Sequence, residues 1–232
     1  MNSLPLYIPA VFILTTLATL WLLYRASNKS TSLITVAVIW LTIQTVIALS
    51  GLYTNTQAMP PRFIFLVLPP LMVIAILCTT RKGCVFIGRW NLRWATWLHI
   101  VRIPVELVLL WLFLYKQVPQ LMTFEGRNFD IISGLTAPLI IWLAWKNGLL
   151  VKSKMLLLWN FICILLLLNI VINAVLSAPF PFQQLAFDQP NVAILYFPYI
   201  WLPGFIVPAV LMAHLVTIKQ ILTSRNGHQV AV

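Results

Sequence analysis

The chain has 232 residues, 61% of them hydrophobic and only 8% charged, where a soluble domain carries about 25% charged residues. No core of this size hides that much apolar surface from water, so a soluble globular domain is excluded and lipid is the expected solvent. The net charge of +11 would suit nucleic acid in a soluble protein; in a chain this apolar it suits loops that set membrane topology, and no nucleic-acid partner is expected.

Seven apolar segments follow in order, at about 5–24, 33–53, 63–80, 95–117, 131–146, 155–177 and 194–221. They predict an all-α fold: one domain over 1–232, a bundle of seven transmembrane helices with no soluble domain. The first segment has no basic residues before it, and Arg25 and Lys29 follow it. That charge order predicts a retained first span with its N-terminus outside, not a cleaved signal.

The cations test this count. Arg25, Lys29, Arg81, Lys82, Arg89, Arg93, Lys146, Lys152, Lys154, Lys219 and Arg225 fall in alternate connections, against Arg62, Lys116 and Arg127 on the other side. Arg102 alone lies within a span. By the positive-inside rule the C-terminus is then cytoplasmic. Arg89 and Arg93 alternate with Trp90 and Trp94. Beside two spans, the loop Arg81–Trp94 is expected to meet anionic lipid headgroups of the bilayer.

Prolines recur inside the spans, among them Pro104, Pro138 and, in the last one, Pro198, Pro203 and Pro208. Three prolines with Gly204 predict a bent or broken final helix. The outer loops Pro119–Asp130 and Ala178–Val192 are too apolar for free linkers and are expected to fold down as caps. Cys78, Cys84 and Cys163 show no metal or disulfide spacing and are expected as free thiols.

The feature that interrupts the lipid pattern is His99-Ile-Val-Arg102-Ile-Pro104-Val-Glu106. At 100° per residue, His99, Arg102 and Glu106 fall within about 60° of one another on one helix face. Charges in a span must be paired or hydrated, so this face is expected to look inward. Arg102 and Glu106, four apart, are expected to pair. His214 in the last span reaches a similar depth to His99, so the two are candidate haem or metal ligands, with two separate structural histidines as the plainer alternative. Asn169, Asn173 and Gln44 either glue helices together or, with Glu106, Ser133 and Thr136, line an outward-facing pocket. Glu125, Arg127, Asn128 and Asp130 would form its rim.

There is no GxSxG, no HExxH and no acid pair at fixed spacing, which weighs against an enzyme and leaves no catalytic residues to name. Seven spans with the N-terminus outside is also the layout of microbial rhodopsins and G-protein-coupled receptors. Retinal is excluded, because the only lysine of the last span, Lys219, sits at its cytoplasmic end, and the receptor signatures are absent.

Two stretches, Met122–Pro138 (MTFEGRNFDIISGLTAP) and Val101–Leu109 (VRIPVELVL), resemble a group of small bacterial polytopic membrane proteins that has no assigned activity. The resemblance covers about a sixth of the chain. It implies an inner-membrane location and puts functional weight on Arg102, Glu106, Glu125, Arg127, Asn128 and Asp130. The expected function is transport or sensing of a small solute or ion, with Glu106 as the responsive group, Arg102 as its partner or an anion site and His99 as a cytoplasmic-side relay. The alternatives are a structural or assembly subunit of a membrane complex, and a haem or metal protein using His99 and His214.

Overall fold

The computed structural model describes residues 4–146 and 149–229, the stretch from 225 to 229 by its backbone only. Arg225, counted among the cytoplasmic cations, therefore has its side chain outside the described residues.

The chain is built of helices: α1 (Tyr7–Ala26), α2 (Thr31–Leu49), α3 (Ile64–Thr79), α4 (Arg81–Gly88), α5 (Leu92–Trp97), α6 (Arg102–Leu114), α7 (Ile131–Ala144), α8 (Ser153–Ser177) and α9 (Val207–Gln229). The one sheet among the described residues is a two-stranded antiparallel ribbon after α7, Trp145–Lys146 against Leu149–Leu150. Five stretches are long and apolar enough to cross a membrane: α1, α2, Leu92–Leu114, α8 and Leu202–Ser224. The pair α3 and α4 would make a sixth, but it bends by 88° at Thr80. The expected fifth segment is α7, an apolar helix of 14 residues, about 21 Å long against a hydrocarbon core of about 30 Å.

Local chemistry explains where these helices start. Ser30 accepts from the Leu33 amide, Thr80 from the Gly83 amide and Asn91 from the Trp94 amide, each three residues into its helix. Thr80 therefore ends α3 and caps α4 at the same residue. The corner is tight enough that a Cβ on Gly83 would fall 2.5 Å from the Leu77 carbonyl oxygen. Gln220 of α9 donates to the Ile87 and Trp90 carbonyls, and Lys219 donates to Cys84 Sγ at 2.9 Å. The short helix α4 is thereby held against the end of the bundle. Beside it, the Arg25 guanidinium lies over the rings of Trp94, at 4.1 Å, and Trp21, at 5.6 Å.

The last helix begins irregularly, in the stretch where its prolines predict a bend or a break. Leu202–Ile206 is a π-turn leading into α9. Pro208 has no N–H for the Gly204 carbonyl four residues back; Trp40 of α2 donates its indole N–H there at 2.9 Å. Trp40→Phe should therefore cost about 1 kcal/mol, read as reduced unfolding stability in detergent. An unchanged stability would mean that the Gly204 carbonyl needs no donor from α2.

The core runs between α1, α5, α6 and α9, with Phe12, Leu98, Val101, Val108, Ala213 and Val216 fully or almost fully buried. The outward faces of α2, α3, α7 and α8 carry exposed large apolar side chains, such as Val46, Phe65, Leu135 and Leu165. The loops 119–130 and 178–192 fold back onto the bundle. Gln189 donates to the Phe113 and Val118 carbonyls, and the Asn191 amide bonds Ser177.

Candidate functional site

The charged interruption lies where α5 passes into α6 through a 3-10 turn at Leu98–Val101. Pro104 explains the position of this break. Its ring is tolerated in the first turn of a helix, where its missing N–H leaves no gap. The new α-helix accordingly starts at Arg102. Helix α7 crosses close by at Gly134, where a Cβ would stand 3.2 Å from the Ile103 amide and 3.3 Å from the His99 carbonyl. That approach brings the start of α7 to Arg102.

The predicted Arg102–Glu106 pair does not form. Arg102 Nη1 binds Asp130 Oδ1 at 2.5 Å, with both side chains under a tenth exposed. Spacing of four on one helix permits a pair but does not require it. A carboxylate on a neighbouring element, aimed at the guanidinium end-on, makes the better contact.

The second guanidinium nitrogen, Nη2, lies 2.8 Å from His214 Nε2. Arginine only donates, so Nε2 accepts and carries no proton. Nδ1 lies 2.7 Å from Asn160 Oδ1, an acceptor, so it bears the ring hydrogen. His214 is thus a neutral imidazole with both nitrogens committed. Asn160 in turn donates to the Leu156 carbonyl. Through these bonds one arginine ties α6, α7, α8 and α9 together.

His99 stacks on His214, with centroids 3.9 Å apart and planes at 21°, and meets the Trp159 ring edge-on. Neither His99 nitrogen has a partner among the described residues. The bonded path from Arg102 runs through His214 and not through His99. The ligand pair does not fit this arrangement. The rings are in face contact with no room for an iron between them, and His214 has no nitrogen to give. No group of three or more His, Cys, Asp or Glu side chains converges among the described residues.

Glu106 belongs to a separate branch. Its Oε1 accepts from Asn128 Nδ2 at 2.6 Å. Asn128 also donates to the Met122 carbonyl and accepts from the Asp130 amide, so it fixes the loop that carries Asp130. Glu106 Oε2 is buried and has no partner among the described residues.

Beside it opens a cavity of about 150 Å³, walled by α6, α8, the π-turn and the residues that begin α3. Arg102, Glu106 and Asp130 border it, and every other lining side chain is apolar. At its outer edge Val175 and Phe182 are exposed.

The other predicted residues sit apart from this cavity. Gln44 accepts from the Tyr53 hydroxyl. Thr136 accepts from the Trp159 indole. Asn169 donates to the Arg127 carbonyl and accepts from Asn173. Ser133 is buried with its hydroxyl unpartnered. None of these five lines the cavity; Thr136 and Asn169 join separate elements instead. Of the expected rim, Glu125 and Arg127 are exposed, while Asn128 and Asp130 are buried within the network. The cavity's apolar side chains were missed. In a chain this hydrophobic, a cavity wall and a lipid-facing surface have the same composition.

No curated protein and no solved structure matches the chain. A family match covers residues 60–222, which include every residue of both branches. The chain belongs to that family, described as a domain of unknown function (DUF8737).

Proposed function

We propose that the protein is a transport or sensing protein of the membrane, with Glu106 as its responsive group. One observation carries this reading: Glu106, buried and with one carboxylate oxygen unpartnered among the described residues, lines an apolar cavity. An ionisable group placed this way in a bilayer is costly unless it meets a proton or a ligand. The seven apolar helices would each cross the membrane, with the N-terminus outside and the cation-rich loops in the cytoplasm of a bacterial cell. The short helices α3 and α7 would be accommodated by local thinning or tilt of their neighbours. Arg25 and the α4 cations would lie at the cytoplasmic headgroups.

A structural role is favoured for the other branch. Arg102, Asp130, His214 and Asn160 bond one another across four elements, which suits a clasp rather than a moving part.

Infrared spectroscopy of the purified chain in neutral detergent tests the role of Glu106. The chain has four Asp and Glu residues, so a protonated-carboxyl band can be assigned by substitution. A buried carboxyl band that responds to pH in the wild type and vanishes in Glu106→Gln, with the fold retained, is the expected result. A wild-type Glu106 carboxyl band that does not respond to pH, with Glu106→Gln losing stability only, would leave the structural reading for both branches.

A further inference from the structure

The charges around the cavity do not balance, and the imbalance points to a ligand; this step rests on Glu106 being the responsive group. Among the described residues Arg102 is the one cation bordering the cavity, and two acids, Asp130 and Glu106, border it as well. Asp130 takes the guanidinium directly. His214 is neutral by its hydrogen bonds, and neither His99 nor Cys163 lines the cavity. From α3, the π-turn and α9 only apolar side chains face the cavity. Glu106 is therefore the unmatched charge. In such surroundings a carboxylate requires either a proton or a counter-ion brought from outside.

The rest of the cavity selects the kind of counter-ion. A hydrated metal ion or a small inorganic cation would find no oxygen ligands besides these acids. An apolar wall instead rewards a hydrocarbon body. Phe180 and Phe182 stack with centroids 5.3 Å apart, Phe63 meets Phe180 at 5.5 Å, and all three line the cavity. Aromatic faces attract organic cations as well as hydrocarbon. The volume suits one ring or short chain, and the exposed edge at Val175 and Phe182 lets a longer tail continue into lipid.

We propose that this cavity binds an organic ammonium cation of low polarity, whose positive charge takes the place of the proton on Glu106 and whose apolar body lies against the Phe63–Phe180–Phe182 wall. Proton and ligand then compete for one carboxylate, and the charge of the cluster is the same with either bound.

The test uses the full chain in neutral detergent and three probes of one shape class. These are benzyltrimethylammonium, its uncharged carbon isostere neopentylbenzene, and the anion benzenesulfonate. At a fixed pH at which the Glu106 carboxyl band is present, benzyltrimethylammonium should remove that band and bind one to one by calorimetry. Binding should weaken by roughly tenfold or more in Glu106→Gln and be largely retained in Glu106→Asp. The isostere and the anion should leave the band in place.

Equal binding of the isostere, or unchanged cation binding in Glu106→Gln, would overturn the proposal, the first without needing any variant to fold. A band that responds to pH but not to the cation would also overturn it, while leaving Glu106 as a proton-responsive group. A band that responds to neither would remove both readings.

Discussion

Asp130→Leu is expected to lower the unfolding stability by about 3–5 kcal/mol, because it strands a guanidinium in an apolar interior. For a chain of this size that is roughly 6–20 °C in Tm. Arg102 and Asp130 are 3% and 7% exposed at their side chains, so water offers Arg102 little compensation. The double variant Arg102→Met/Asp130→Leu should recover most of the loss. Removing both charges removes the desolvation cost of each, and such replacements are often neutral or stabilising. The recovery stays incomplete, because His214 Nε2 and Asn160 lose the arrangement that Arg102 anchors, a cost of about 1 kcal/mol. Thermal unfolding in neutral detergent measures both variants. If the double variant is no more stable than Asp130→Leu, the pair is not the source of the loss. If Asp130→Leu melts with the wild type, the clasp contributes nothing.

The same pair shows where sequence reasoning ends. The helices were legible because lipid solvates a helix on every side, so whole segments turn apolar and stand out from their flanks. Segment 155–177 became α8 at Ser153–Ser177, and 131–146 became α7 at Ile131–Ala144. The irregular start of the last helix was legible for a covalent reason, since proline has no N–H wherever it sits. The partner of Arg102 was not legible in this way. Helical spacing ranks residues on one helix, and it put Glu106 first. It carries no distance to a residue 28 positions later on another element. Asn128 and Asp130 lie in a loop, where no period marks which side chains turn inward. The apolar character of that loop, and its acids, were the available signal that it packs down. Gln44 shows the converse error. A lone polar residue within a span suggested the pocket, but it bonds Tyr53 nine residues on and serves the α2 end alone.

The two branches also divide the site's energetics. Around Arg102 the charge is paired with Asp130 and both terminal guanidinium nitrogens are bonded, while Nε is buried without a partner among the described residues; there the cost of change is loss of packing. Around Glu106 one oxygen is left over, and there a change should alter occupancy by proton or ligand more than stability. A carboxylate fixed by one amide and free on its other side is pre-oriented without being satisfied, which is how a binding group in a low-dielectric site differs from a structural one. Asn128 is the hinge between the branches, since it holds Glu106 and the Asp130 backbone at once.

Gly126→Ala should disturb both branches from outside them, with a stability loss of about 1–3 kcal/mol from overpacking. The loop before α7 is wound tightly: Thr123 binds the Gln120 carbonyl through its amide and its hydroxyl, and the Gly126 and Asn128 amides both bind the Thr123 carbonyl. A Cβ on Gly126 would lie 2.2 Å from the Gln120 carbonyl oxygen and 2.8 Å from both the Gln120 carbonyl carbon and the Leu121 Cα. These are backbone atoms, so no side chain can swing away and the turn itself must open. Asn128 follows two residues later and Asp130 four, so the opening should shift the amide on Glu106 and the carboxylate on Arg102 together. Gly88→Ala is the matched control, because a Cβ there meets nothing within 4 Å. The expected pattern is a destabilised Gly126→Ala with a shifted Glu106 carboxyl band, beside a Gly88→Ala that behaves as wild type. The loss in Gly126→Ala should also be smaller in a Glu106→Gln background, since residues in one network do not contribute additively. A Gly126→Ala protein with wild-type stability and an unmoved band would mean that the loop can relax without carrying Asn128 with it, and that Glu106 is positioned by its own helix alone.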